Sequence, residues 1–321
     1  MALPASGAIS LNQVNVELGN SGTANINMNS AAVRGLFDIA SGAISMSDGY
    51  GKSSETVLTN EGTINGQANR KQITVSNFID AGGTLVVPSG FWVWSDDTAV
   101  AAIIIDIACT LRNEGKVIGK GGAGKPNGAT PAGGAGNPGG SAIKINSGVS
   151  GVTIINTSGS YIAGGGGGGG EAAAGGAGGA GGGDGTYDSV EGGVLNAVGD
   201  TYANFSSRGE GGGAGGGGGG SYYIAPYQYP GYGGGGGRIL PGSGGAGGSA
   251  GGGQGGSAGD AGANGTASGS PTMYGAGGGG GWGAAGGTGS YGRAGGLAGK
   301  AINDSGVSYT LSNSGTIYGA T

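Results

Sequence analysis

Five tyrosines crowd residues 221–232, which read Ser-Tyr-Tyr-Ile-Ala-Pro-Tyr-Gln-Tyr-Pro-Gly-Tyr. Tyrosine beside serine and glycine is the composition of antibody combining loops. Each ring offers a wide amphipathic contact area and a hydrogen-bonding tip at low entropic cost. Pro226 and Pro230 stiffen the segment. The chemistry this implies is non-covalent recognition. Tyr187, Tyr202, Tyr274, Tyr291 and Trp282 lie in the same part of the chain. The contact candidates are therefore Tyr187, Tyr202, Tyr222, Tyr223, Tyr227, Tyr229, Tyr232, Tyr274, Trp282 and Tyr291. A second reading stays open, in which these rings cover glycine segments that have no side chains of their own. The insert at 184–208, with Asp188, Glu191 and Arg208, suits contacts to sugars or protein loops, or a solvated loop.

Catalysis finds no support. Histidine is absent, which removes the commonest general base and metal ligand. No carboxylate pair is held by regular spacing. Gly119, Gly124 and Lys125 imitate a phosphate loop, but Pro126 stands where the magnesium-binding hydroxyl belongs. Calcium-binding nonapeptides need a recurring aspartate, whereas Asp184 and Asp260 are isolated. The expectation is a non-enzyme with no catalytic residue, no metal and no cofactor.

What positions the tyrosines is a glycine-rich block. Of the 91 glycines, 75 fall within 119–300. Ordering them costs on the order of 100 kcal/mol in backbone entropy, and glycine buries nothing in return. One reading is a disordered linker. The favoured reading is a bundle of polyproline-II-type helices, whose amide and carbonyl groups bond laterally because no Cβ holds neighbours apart. Only nine prolines and no strict triplet period exclude collagen. The block carries seven basic and seven acidic residues, and the whole chain a net charge of −5, so a nucleic-acid partner is not expected. The longest apolar run, 99–105, is strand-sized, so membrane insertion is not expected. The N-terminus lacks a signal-peptide pattern.

Repeats organise the flanks. Residues 7–13, 24–30 and 42–48 are copies of one alternating pattern, read as short strands, with Asn12 and Asn29 capping helices over 14–18 and 31–37. Such short repeats read as a mixed α/β docking segment for partner subunits, or as a small domain of their own. Asn-x-Gly followed by an apolar residue recurs at Asn60, Asn113 and Asn313, and more loosely at Asn156. That is turn-then-strand chemistry, and its recurrence implies stacked coils or a small sandwich. Strands are expected over 84–87 and 91–94. From 102 to 111 the alternation is continuous, which places Ile103, Ile105, Ile107, Cys109 and Leu111 on one face and makes Cys109 a core residue. The segments at 142–150 and 301–308 match each other and bracket the glycine block. A block whose two ends return to one β layer reads as folded.

Residues 1–53, ending in Ser-Gly-Ala-Ile-Ser-Met-Ser-Asp-Gly-Tyr-Gly-Lys at 41–52, resemble the N-terminal segments of tailed-bacteriophage structural and tail-fibre proteins. Residues 93–96 and 111–124 resemble glycine-rich phage tail proteins. The block resembles the tip adhesins of T-even-like phages, in which glycine helices present variable host-binding loops. The resemblance implies a virion tail location. It also implies docking on other tail or baseplate proteins through 1–53, and contact with a host surface glycan or outer-membrane protein. A homotrimer stays open, as does a purely structural tail component. The expected fold is mainly β with a glycine-helix bundle, divided into 1–53, a β-rich part at 54–163 with a first glycine segment at 119–140, the block at 164–300, and a closing β segment at 301–321.

Overall fold

The computed structural model describes residues 3–64, 67–124, 135–170, 220–224, 227–229, 247, 251–268, 273–290 and 292–321. Two short helices open it, α1 (Leu11–Glu17) and α2 (Ala31–Phe37), followed by a single 3-10 turn at Met46–Gly49. The three copies of the N-terminal pattern are not strands. Their serines act as helix caps instead. The Ser10 hydroxyl accepts from the Gln13 N–H at 3.2 Å, and the Gln13 carboxamide accepts from the Ser10 N–H at 2.7 Å. Ser30 caps α2, and Asp48 accepts from the Ser45 N–H at 2.7 Å. Asn12 lies inside α1, and Ser30 takes the place expected of Asn29. The apolar residues of the copies are spent on a small core, where Ile26, Met28, Ile44 and Met46 pack around Ile9, Val14, Val33, Leu36 and Phe37.

Beyond this unit the chain winds repeatedly through three faces. The first turn places β1 (Glu55–Val57) on the first face, β2 (Gly62–Ile64) and β3 (Gln67–Lys71) on the second, and β4 (Ile73–Thr74) on the third. The second turn supplies β5 (Thr84–Val87), β6 (Trp92–Trp94) and β7 (Ile103–Ile105). The third supplies β8 (Thr110–Asn113), β9 (Lys116–Ile118) and β10 (Ile143–Ile145). The fourth begins with β11 (Val152–Asn156) and β12 (Tyr161–Ala163). Four strands then intervene, β13 (Gly220–Ile224), β14 (Tyr227–Tyr229), β15 (Ala267–Ser268) and β16 (Met273–Gly275), before the turn closes on β17 (Ile302–Asn303). The last turn gives β18 (Tyr309–Asn313) and β19 (Thr316–Tyr318). The faces are sheets of order β1-β5-β8-β11-β18, β2-β3-β6-β9-β12-β19 and β4-β7-β10-β17. Their ladders are parallel, apart from the opening β2–β3 hairpin.

Register explains the core. On the first face Leu85, Leu111, Ile154 and Leu311 stack. On the second Val93, Val117, Ile162 and Ile317 stack. On the third Ile73, Ile103, Ile143 and Ile302 stack. The three columns meet in one apolar interior. Parallel rungs repeat at about 4.8 Å, so like side chains fall on like and the same inward position serves every turn. The alternation over 102–111 is two strands and the corner between them. Inward residues of adjoining faces keep the pattern running through the corner. Cys109 is buried at that corner, and burial, with the Asp106 charge adding, pushes its thiol up to about 11.

Both glycine segments leave the prism between its second and third faces. One runs from β9 to β10 and the other from β12 to β17. In the second turn the same corner is a short loop, tied by Ser95, whose hydroxyl donates to the Val100 carbonyl at 2.6 Å. Among the described residues, backbone hydrogen bonds join the two glycine segments. One series joins Lys120, Gly140, Gly165 and Gly299, and another, three residues on, joins Ala123, Asn137, Gly168 and Gly296. A Cβ on Gly165 would overlap the Lys120 carbonyl, and one on Gly296 the Asn137 carbonyl. The expected fold class is corrected here. Its architecture is three mostly parallel sheets and a smaller antiparallel one, with two short helices, and no glycine-helix bundle is shown among the described residues. Glycine content sets how closely backbones can approach; it does not dictate which regular element they form.

Candidate recognition surface and its seat

The tyrosine-rich segment supplies strands. β13 and β14 form a hairpin in which Tyr222 pairs with Tyr229, Tyr223 with Gln228 and Ile224 with Tyr227. β13 also pairs with β16, which sets Tyr222 opposite Met273 and Ser221 opposite Tyr274, and β16 pairs with β15. The result is an antiparallel sheet of order β14-β13-β16-β15. Strand alternation puts positions 222, 227, 229 and 273 on one face, and 223 and 274 on the other. The sheet is tied into the glycine segments at its central strand. The Gly275 N–H donates to the Thr266 carbonyl at 2.8 Å, and the Gly275 carbonyl accepts from the Ser290 N–H at 2.8 Å. The side chains of these five tyrosines lie outside the described residues, as do Tyr187, Tyr202, Tyr232, Tyr291 and the insert at 184–208.

Trp282 is in a different place. It is fully buried, so it has no surface to offer a partner. It stacks on Tyr161, with ring centroids 5.4 Å apart, and meets Tyr318 edge-on at 6.0 Å. Tyr161 in turn meets Trp92 edge-on at 5.8 Å. Trp92, Tyr161 and Tyr318 all stand on the outer side of the second face. Sequence reading missed this aromatic seat because its members are scattered from residue 92 to residue 318. The one available signal was an alternating Trp-x-Trp in a strand whose central Val93 faces the interior. Lys116 lies between the two rings, its ammonium 4.4 Å from the Trp92 centroid and 5.2 Å from that of Tyr161. Burial pulls the Lys116 pKa down, and burial, with Tyr318 adding, pushes the Tyr161 phenol well above its ordinary range.

At the other end, the Glu17 carboxylate accepts from the Ser53 hydroxyl at 3.0 Å and the Ser54 N–H at 2.9 Å. These bonds tie the helical unit to the first rung. A groove of about 1,030 Å³ opens beside them, between α1, α2 and residues 76–84. Among the described residues, no cluster of three or more His, Cys, Asp or Glu side chains is placed to hold a metal. No helix there is long and apolar enough to cross a membrane.

The prism strands from β1 to β12, the first glycine excursion and the opening part of the second, as far as Tyr222 in β13, fall within one family match. Residues 55–222 match the model of the phage tail fibre adhesin Gp38. The chain belongs to the phage tail fibre adhesin Gp38 family. Membership places this Gp38-family adhesin in the virion tail and gives it a binding role. One similar solved structure is the crystal structure of the gp37-gp38 adhesin tip complex of the bacteriophage S16 long tail fiber. It is 18% identical, with 98% of this chain and 99% of that chain covered, at a TM-score of 0.43. No curated protein matches this Gp38-family adhesin.

Proposed function

We propose that this adhesin binds the host surface through the tyrosine-bearing sheet and the loops around it. The three-sided prism acts as its stem, and residues 1–53 dock it on other tail or baseplate proteins. In this division 54–163 is the spacer, 164–300 the recognition block and 301–321 the returning strand. The observation that carries the reading is the β13–β16 sheet. A segment of antibody-like composition has a defined backbone register there, on a framework made largely of glycine. Fixed aromatic positions lower the ordering cost of binding. Tyrosines with glycine and serine suit a surface glycan or an extracellular loop of an outer-membrane protein. Deleting residues 222–232 in the phage tests the reading, and adsorption to the host is expected to fall sharply. Unchanged adsorption would exclude this segment as the contact surface. The second reading, a structural tail component whose aromatics only cover the glycine segments, draws on the burial of Trp282. That reading predicts normal adsorption once the deleted particle has assembled.

A further inference from the structure

We propose that Trp282 is the positioning residue of the recognition surface, a peg that holds the tyrosine-bearing sheet in one orientation on the prism. The inference rests on the reading that this sheet contacts the host.

The peg is joined to the sheet with little slack. β16 is an inner strand of that sheet, and Trp282 follows its last residue after only 276–281. Within that stretch the Gly277, Gly278, Gly280 and Gly281 N–H groups donate to the carbonyls of Gly170, Ala263, Gly167 and Asp260, at 2.8–2.9 Å. Beyond the peg, the Gly283 N–H bonds the Gly164 carbonyl at 2.7 Å. The Trp282 carbonyl accepts from Gly259 at 3.0 Å. A shift of the Trp282 backbone is therefore passed along 276–281 to β16.

The seat is equally defined. It is built from three strands, with Trp92 on β6, Tyr161 on β12 and Tyr318 on β19. Among the described residues the block is also tied to the prism by the chain crossings at one corner and by glycine backbone bonds. Glycine has no side chain to interlock, so such bonds resist sliding less than a buried ring stacked on Tyr161 and met edge-on by Tyr318. Orientation therefore depends on a side chain that never touches the host.

The test uses the full chain as Trp282→Ala and Trp282→Phe, with spin labels on Thr266→Cys beside β15 and Ser312→Cys on the exposed first face. The native Cys109 is buried and stays unlabelled. The distance distribution is expected to be narrow with tryptophan or phenylalanine and broad with alanine. Host-cell binding of the unlabelled proteins should fall about tenfold for Trp282→Ala and be restored by Trp282→Phe. A narrow distribution in Trp282→Ala overturns the peg, and so does a broad one with binding unchanged. Failure of the underlying reading is distinct: Tyr222→Ala with Tyr229→Ala would then leave both the distance and the binding intact. If Trp282→Ala does not fold, Trp282→Leu, which keeps the seat apolar without stacking, replaces it with the same two outcomes.

Discussion

The Asn156 carboxamide donates to the Asn313 oxygen at 2.8 Å, although the two residues stand 157 positions apart in the chain. On its other side Asn156 accepts from Asn113, also at 2.8 Å. The three asparagines are the same turn position in successive rungs, paired in register. Nearly all of the glycine block is thus an excursion between two adjacent rungs of one stack.

This ladder predicts a graded response. Asn156 is fully buried and also accepts from the Ser160 hydroxyl at 2.7 Å. Asn156→Leu strands amide and hydroxyl groups inside the prism and should cost about 3 kcal/mol. Asn313 is exposed at the last rung, and Asn313→Ala should cost less than about 1 kcal/mol. Chemical denaturation of the two variants provides the comparison.

Glycine substitutions should divide by position. Gly165→Ala drives a methyl into the Lys120 carbonyl and should destabilise the fold by about 3 kcal/mol or more. Gly35 lies exposed within α2 with open space at its Cβ position. There Gly35→Ala should stabilise by about 0.5–1 kcal/mol. Thermal unfolding checks both signs.

Alkaline stability follows from Cys109. Its folded pKa of about 11 lies above the ordinary 9.0, so the folded state holds that proton more tightly. The resulting stability is complete below pH 9 and is lost as pH rises from 9 towards 11. Cys109→Val should flatten part of that decline in a denaturation series. At neutral pH a thiol reagent should modify Cys109 only after unfolding.

Much of the stem was legible in the chain, because its signals are local and repeated. Asn113, Asn156 and Asn313 marked the same turn of successive rungs. The matched segments at 142–150 and 301–308 contain β10 and β17, which pair as Ile143 with Ile302. The N-terminal copies were misread because a serine inside an alternating pattern serves a strand or a helix cap equally well, and tertiary burial of Ile9 and Val14 decides. The continuous alternation at 102–111 hid a corner, because both adjoining faces point inward. The glycine-helix bundle was an inference from composition. Trp282 stood among other aromatics with nothing local to separate a contact from a peg. Its role depends on Tyr161 and Tyr318, which flank it from far away in sequence.

The most direct measurement is competition. Purified full-length protein is mixed with phage and host, and residual adsorption is recorded. The account predicts that native protein blocks adsorption, and that Tyr222→Ala with Tyr229→Ala blocks at least about tenfold less well at equal concentration while unfolding at the native midpoint. Equal blocking by the native and doubly substituted proteins would contradict it.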